Sequence, residues 1–347
     1  MNSNILKAEE MRYPQMRDLN RDKTLLILPV SSLEVHGHHL PMGMDTFFAT
    51  LQAEDLAEAF AEAHPDWAVV LYPPLTLGTD ELPLAGSVSA TPRVVRDAVM
   101  GFGNSLVGHG FKYIVVTNGH GGPRQPPAIE EACHRISVKR RSVMIAPSMR
   151  VLYSYVTGDA IPRIEAEIGR PLTDIEKSAL STGGEHAAVL ETSLLLAYRP
   201  ELVSDVYKQC PYDTPPRVPS IGRIGRVLSA PFKVLGLANV AEKVNLIFDG
   251  LAGNIGWWMN THRGYGDHVV TYMGNPSAAS SELGMALRKL IARDLLEEVE
   301  AVISGRRLPS EVHSIFWTIP VARTDFFRNL GIAIGALIVI VGMLLLL

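Results

Sequence analysis

The chain has 347 residues, of which 47% are hydrophobic and 20% are charged, so it can build one large domain or two modest ones and is not wholly disordered. Its 32 basic and 36 acidic residues give a net charge of -4, which argues against binding to a nucleic-acid backbone. Two cysteines, Cys133 and Cys210, are too few for a disulfide framework and indicate a reducing compartment.

Strand and helix patterns alternate through the first half of the chain. Short apolar runs predict buried strands at 24–30, 67–72, 112–117 and 142–146. Between them, apolar residues at helical spacing predict a helix over 45–64, and Thr91-Pro92 is an N-cap with a first-turn proline that opens a helix ending near Gly110. This alternation predicts an α/β fold with a largely parallel sheet.

The pattern loosens over an insertion at about 208–256, which is rich in proline and glycine. Between residues 217 and 243, five basic residues outnumber the one acidic residue, Glu242, and they are Arg217, Arg223, Arg226, Lys233 and Lys243. A basic amphipathic stretch of this kind favours contact either with an anionic membrane face or, through its apolar side, with the domain or a partner subunit. Beyond it, the spacing predicts a helix over 281–302 that stops at Gly305.

The C-terminal residues 330–347 carry no charge and, as a helix, would be about 27 Å long, close to the thickness of a hydrocarbon core. The segment is apolar on every side, which favours a membrane anchor over a buried helix. Arg323 and Arg328 precede it, and positive flanking charge favours the cytoplasmic side. We therefore expect a tail-anchored protein facing the cytoplasm, with a main domain at 1–316, a juxtamembrane linker at 317–329 and an anchor at 330–347.

Candidate metal ligands follow two of the predicted strands. Glu34 and His36 are two residues apart, so they point the same way in an extended segment, and Asp45 returns after a short turn. These residues alone are equally compatible with a solvated histidine loop and a helix-capping aspartate. However, the next strand leads into His120, and ligands gather beyond the carboxyl ends of parallel strands. The combination predicts a site for Zn, Mn or Fe(II).

A third polar motif, at 183–193, contains His186 and Glu191. These residues are five apart, about 140° around a helix, so they cannot share a helical face. If both serve one site, His186 must lie in the loop before the helix.

Together these motifs resemble those of the creatininase (creatinine amidohydrolase) family. The resemblance covers about residues 10–305 and rests on ExHGxHLPxGxD at 34–45, NGHGG at 118–122, HAxxxETS at 186–193 and the pattern around 274–284. It implies a three-layer α/β/α fold, a divalent metal centre and a homo-oligomer, commonly a hexamer.

The resemblance also implies roles for individual residues. The metal ligands would be Glu34, His36, Asp45 and His120, with Asp45 bridging where two ions are present. Glu191 and His186 would flank the substrate, the first as a base or supplementary ligand and the second as a donor to the oxyanion or the leaving nitrogen. Substrate-side positions would be Glu81, Ser87 and Gly121.

The chain departs from creatininase itself in two places. Gly122 stands where creatininase has a glutamate ligand of its second metal, so a second ion would need Glu191 or His39 instead. No tryptophan lies between Trp67 and Trp257, so the tryptophans that close over creatinine lack counterparts. Creatinine is therefore not the expected substrate.

The expected function is metal-dependent hydrolysis of a C–N bond in a small amide, cyclic amide or formamide, using one or two divalent ions. One alternative is a one-metal deformylase or peptidase acting on a formamide or modified peptide. Another is a membrane-tethered binding protein that does not catalyse. We expect the remaining histidines His38, His262 and His268 to be surface or packing residues.

Overall fold

A parallel sheet forms the centre of the protein, whose computed structural model describes residues 4–140, 142–213, 218–238, 271–326 and 328–335, with scattered positions between 240 and 256. Its described strands are β1 (Ile5–Lys7), β2 (Thr24–Ser31), β3 (Ala68–Leu71), β4 (Leu75–Thr76), β5 (Tyr113–Thr117) and β6 (Val143–Ile145). They pair in the order β1-β3-β2-β5-β6, with β4 beside the end of β2, and every described pairing is parallel. The predicted parallel sheet is confirmed.

The described helices are α1 (Tyr13–Arg17), α2 (Met44–Ala63), α3 (Pro92–Gly108), α4 (Gln125–Arg140), α5 (Ser148–Val156), α6 (Ile161–Ile168), α7 (Asp174–Ala179), α8 (Val189–Tyr198), α9 (Pro219–Val234) and α10 (Ser281–Ile303). Residues from α2, α8 and α10 share one apolar core, and residues from α3 and α4 share another. Leu25 and Ile27 of β2 join the first core, whereas Leu26 and Leu28 join the second. Because successive strand residues point to opposite faces, the sheet is covered on both sides, and the three-layer α/β/α prediction is confirmed.

Local signals set the helix ends where the sequence predicts them. The Thr91 hydroxyl accepts a hydrogen bond from the Val94 backbone at 3.4 Å and caps α3. Gly110, two residues beyond α3, and Gly305, two residues beyond α10, have positive φ angles of 87° and 76°, which glycine adopts without steric cost.

The segment 309–328, which we call the C-terminal strap, packs on the second layer. Residues 315–318 contact α4, and the buried Asp325 carboxylate receives four guanidinium groups. Arg96 and Arg135 approach it at 2.7 and 2.8 Å, from α3 and α4 respectively. Arg93 of α3 and Arg328 lie at 3.1 and 3.0 Å. Much of the predicted linker at 317–329 is therefore held against the domain.

No helix within the described residues is both long and apolar enough to cross a membrane. Residues 328–335 are helical, but 336–347 of the predicted anchor lie outside the described residues. The same holds for Arg217, Glu242 and Lys243 of the insertion and for His262 and His268.

Candidate metal centre

The carboxyl-terminal edge of the sheet brings together four side chains from three elements. Glu34 and His36 follow β2, His120 follows β5, and Asp45 lies in the first turn of α2. All four are buried, with at most 4% of their surface exposed. The strand-end geometry inferred from the sequence therefore places these residues in one water-poor pocket.

Asp45 lies between two histidines and presents a different oxygen to each. Its Oδ1 is 3.2 Å from Nε2 of His36, and its Oδ2 is 3.1 Å from Nδ1 of His120. The Oε2 atom of Glu34 is also 3.1 Å from Nδ1 of His120. Two groups of possible ligands thus share Asp45, namely Glu34–Asp45–His120 and His36–Asp45–Glu191, and within each group the ligand atoms lie within 4.8 Å of one another.

Backbone carbonyls orient both imidazoles. In His36, Nδ1–H donates to the Glu34 carbonyl at 3.0 Å, and in His120, Nε2–H donates to the Thr79 carbonyl at 2.9 Å. The opposite nitrogen of each ring therefore points toward Asp45, and in the neutral form that a metal requires it would present its lone pair there. Among the described residues, Nε2 of His36 and Oε2 of Glu34 are buried without a hydrogen-bond partner. Inward lone pairs and unsatisfied acceptors fit a bound cation.

The third motif completes the second group of ligands. Glu191 lies in the first turn of α8, and its Oε2 is 3.6 Å from Nε2 of His36 and accepts a 2.6 Å hydrogen bond from the Ala187 backbone. His186 lies before α8, as its spacing from Glu191 requires. Its Nε2–H donates to the Val35 carbonyl at 2.7 Å, and its ring centroid is 4.1 Å from that of His36.

Two positioning residues escaped the sequence analysis. The Glu185 carboxylate accepts hydrogen bonds from the backbones of Leu190 and Glu191 at 3.0 and 2.9 Å, so it fixes the start of the helix that carries Glu191. The Ser32 hydroxyl donates to Oδ2 of Asp45. The sequence could have indicated Glu185, because a glutamate just ahead of a predicted helix can accept hydrogen bonds from the first turn.

The charged groups of the cluster shift one another's pKa values. Burial opposes protonation of His36, but Asp45 and Glu191 outweigh it and raise the pKa of this imidazole to about 10. Burial likewise opposes protonation of His120, whose pKa Glu34 and Asp45 hold well above the usual value. Burial raises the pKa of Glu191 to about 8. The metal-free cluster therefore holds protons at the places where an ion would supply positive charge.

Gly122 cannot carry the glutamate that the family resemblance places there. A Cβ atom at this position would lie 2.4 Å from Nε2 of His120 and 2.8 Å from the Thr79 carbonyl oxygen. Glu191 lies beside His36 and Asp45 and forms a group of possible ligands with them. His39 does not, because its Nε2 pairs with the Thr192 hydroxyl at 3.1 Å and it belongs to neither ligand group.

The predicted substrate-side residues lie near the candidate metal ligands. The Glu81 carboxyl is buried, which raises its pKa, and one of its oxygens lies where a Cβ of Gly78 would be. The Ser87 hydroxyl accepts a hydrogen bond from the Val35 backbone at 3.1 Å, while Gly121 is exposed beside His120. His38, expected at the surface, is exposed.

Comparison with known proteins agrees with this arrangement. The model of the Creatininase family, described as creatinine amidohydrolase, matches residues 9–299. A mycofactocin precursor peptide peptidase from Mycobacterium ulcerans (strain Agy99) is 28% identical over 63% of this chain and 77% of that protein. A 3-dehydro-scyllo-inosose hydrolase from Thermotoga maritima is 27% identical over 66% of this chain and 68% of that protein. The creatinine amidohydrolase of Pseudomonas putida is 26% identical over 52% and 66%, respectively.

Solved structures share the fold. A putative creatinine amidohydrolase from Bacteroides fragilis NCTC 9343 superposes with a TM-score of 0.57 at 18% identity, covering 89% of this chain and 99% of that one. A structure described as creatininase with Mn gives a TM-score of 0.56 at 20% identity, covering 85% and 97%. The family match over most of the chain, on the fold and motifs described above, shows that this protein belongs to the creatininase family of hydrolases.

Proposed function

We propose that this protein is a metal-dependent hydrolase that cleaves a C–N bond in a small amide, cyclic amide or formamide. The observation that carries the proposal is the pair of imidazoles, each tied to a backbone carbonyl on one nitrogen and turned toward Asp45 with the other. This arrangement is typical of histidines that ligate a metal rather than of histidines in a structural core. The set of imidazole and carboxylate donors suits Zn, Mn or Fe(II).

Two divalent ions would be held, one by Glu34, Asp45 and His120 and the other by His36, Asp45 and Glu191. A divalent ion in such a site lowers the pKa of water toward 7 and polarises an amide carbonyl. The protein fixes the shared carboxylate through Ser32 and the Glu34 carboxylate through the Leu82 backbone, which donates to Oε1 at 2.6 Å.

His186 is suited to moving the proton. Burial lowers its pKa to about 4, so its ring is neutral at pH 7 and can accept a proton. Because Nε2–H is tied to Val35 at 2.7 Å, the ring has a fixed orientation against His36. We assign it the role of hydrogen-bonding the developing oxyanion or protonating the leaving nitrogen, and we assign Glu191 the role of base or supplementary ligand.

The substrate side of the centre is assigned to Glu81, Ser87 and Gly121. The buried Glu81 carboxyl would meet polar groups of the substrate, and the exposed Gly121 leaves space for it because no atom lies within 4 Å of a Cβ placed there. Ser87 would act indirectly by holding the Val35 backbone.

A second candidate function is cleavage of a modified peptide or a formamide, as a deformylase or peptidase. It is favoured by the similarity to a mycofactocin precursor peptide peptidase. A non-catalytic binding protein on the same fold is the third reading, and it predicts metal binding without turnover.

We also propose the cellular setting. Residues 330–347 would anchor the chain in a membrane, with the catalytic domain on the cytoplasmic side, and the domain would assemble as a homo-oligomer. The composition of the segment and its flanking arginines support the anchor, and the family resemblance supports the oligomer.

Metal analysis combined with an amide-hydrolysis screen tests the catalytic proposal. The purified protein should contain up to two equivalents of a transition metal and hydrolyse at least one member of a panel of amides, cyclic amides, formamides and formyl or modified peptides. His120→Ala should lose both metal and activity. His38→Ala, an exposed histidine of the same loop region, should lose neither. Stoichiometric metal in His120→Ala contradicts the ligand assignment, and metal without turnover on any substrate favours the binding protein.

A further inference from the structure

The helix α9 of the insertion packs against residues 245–248 through small residues. Gly222, Gly225 and Ser229 are its buried positions. A Cβ on Gly225 would lie 2.4 Å from Cβ of Phe248, and the Ser229 hydroxyl donates to the Asn245 side chain at 2.9 Å. The inner side of α9 is therefore too close to the following residues for large side chains.

Large apolar side chains lie on the opposite side of the same helix. Ile224, Val227 and Leu228 are 50%, 71% and 49% exposed, and Val234 is 87% exposed. At about 100° per residue, these four positions lie roughly 120–240° around the helix from Gly222. We call them the α9 outer face. A helix at the surface of a protein normally turns its large apolar residues toward the interior. Because these four residues are exposed instead, this face is suited to an apolar partner.

The charges beside the α9 outer face favour one kind of partner. Arg223, Arg226 and Lys233 are exposed between it and Gly222, about 20–100° around the helix from that glycine. The sequence contains no aspartate or glutamate between residues 218 and 238. An apolar stripe with only cations beside it complements the interface of an anionic lipid bilayer, where acyl chains and phosphates lie next to each other.

A second copy of the chain fits this surface less well. Two α9 outer faces related by a two-fold axis would bring the same cations toward each other. With no carboxylate on the helix to pair them, that contact would be repulsive.

We propose that the α9 outer face docks on an anionic phospholipid surface, with Ile224, Val227, Leu228 and Val234 entering the interface and the flanking cations contacting the lipid phosphates. This goes beyond the proposed catalytic function and does not depend on it. It favours the first of the two interpretations of the insertion that the sequence left open, because the large apolar residues of α9 lie opposite the side that contacts residues 245–249.

An environment-sensitive fluorophore on the full-length protein tests the proposal. The native Cys133 and Cys210 are both buried, so a cysteine introduced by Val227→Cys can be labelled selectively with NBD. The protein is then reconstituted into phosphatidylcholine vesicles with or without phosphatidylglycerol. With the anionic lipid, the label should shift to the blue and become protected from an aqueous quencher. Val138→Cys on α4, whose native residue is 67% exposed, should stay accessible in both vesicles.

The charge dependence gives the test a magnitude. Each cation near an anionic surface is worth roughly a fivefold change in partitioning, so replacing Arg223, Arg226 and Lys233 by glutamine should lower the ratio of protected to accessible label about 100-fold. Unchanged circular dichroism and metal content would show that this variant is folded. A label at 227 that stays accessible on anionic vesicles overturns the proposal. Protection that needs no lipid and rises with protein concentration also overturns it, in favour of a second copy.

Discussion

Loading the metal-free protein with Zn²⁺ should release protons, and their number should report how many ions the centre holds. At pH 7 the metal-free cluster keeps protons on His36, with a pKa of about 10, on Glu191, with a pKa of about 8, and on His120, whose pKa is well above its usual value. Coordination requires each of these groups to be deprotonated. Binding should therefore be coupled to proton release.

The expected count follows from the two ligand groups. Filling the Glu34–Asp45–His120 group displaces one proton, from the imidazole. Filling the His36–Asp45–Glu191 group displaces about two, so a two-ion centre should release about three protons per chain. Between pH 6 and 7.5, affinity should rise about tenfold per pH unit for the first ion and about 100-fold for the second.

Isothermal titration calorimetry in buffers of different ionisation enthalpy measures this count directly. Glu191→Gln should reduce the release by about one proton and weaken the second ion, whereas His38→Gln should leave the count unchanged because His38 is exposed outside the cluster. Stoichiometric metal binding with no proton release would refute the charge state inferred for the two histidines. An unchanged count in Glu191→Gln would refute its role as a ligand.

Three further predictions concern Gly122, which lies beside the centre, and the buried acidic residues Asp325 and Glu130. Gly122→Ala should cost at least tenfold in activity and metal affinity, because its Cβ would lie 2.4 Å from a ring nitrogen of the centre, while Gly121→Ala, with no atom within 4 Å, should leave metal affinity unchanged. Asp325→Asn should lower the free energy of unfolding in urea by about 3 kcal/mol, because it removes the buried carboxylate charge that four guanidinium groups share, and the exposed Asp97→Asn should change it by under about 1 kcal/mol. Burial raises the folded-state pKa of Glu130 from 4.5 to about 7, so the folded state retains a proton that the unfolded state loses. The free energy of unfolding should therefore fall by about 3 kcal/mol as pH rises from 4.5 to 7, and Glu130→Gln should remove that loss. The same pH dependence in the variant would show that another group causes it.

Much of the fold and the ligand cluster could be predicted because they depend on local pattern. Apolar runs ending in Glu34, His36 and His120 locate strands and loops, and parallel strands place those loops at one edge. The sequence could not show that Glu191 lies beside His36, since that depends on the packing of α8.

Longer-range features were equally hidden. Asp325 lies in a segment that composition marks as a linker, and only the fold brings α3 and α4 arginines to it. In α9, the large apolar residues suggest an inward face, yet Gly222 and Gly225 take that side because the side chains of Asp249 and Phe248 approach closely. Hydrophobic periodicity distinguishes the apolar side of a helix from its other side, but it does not predict which side packs against the protein.

The guanidinium cage around Asp325 has a mechanical consequence. The helical residues 328–335 follow it closely, and Arg328 of that helix lies 3.0 Å from the Asp325 carboxylate, which ties the start of the helix to the domain. If residues 330–347 anchor the chain as proposed, this pairing would limit the orientations that the domain can take relative to the membrane.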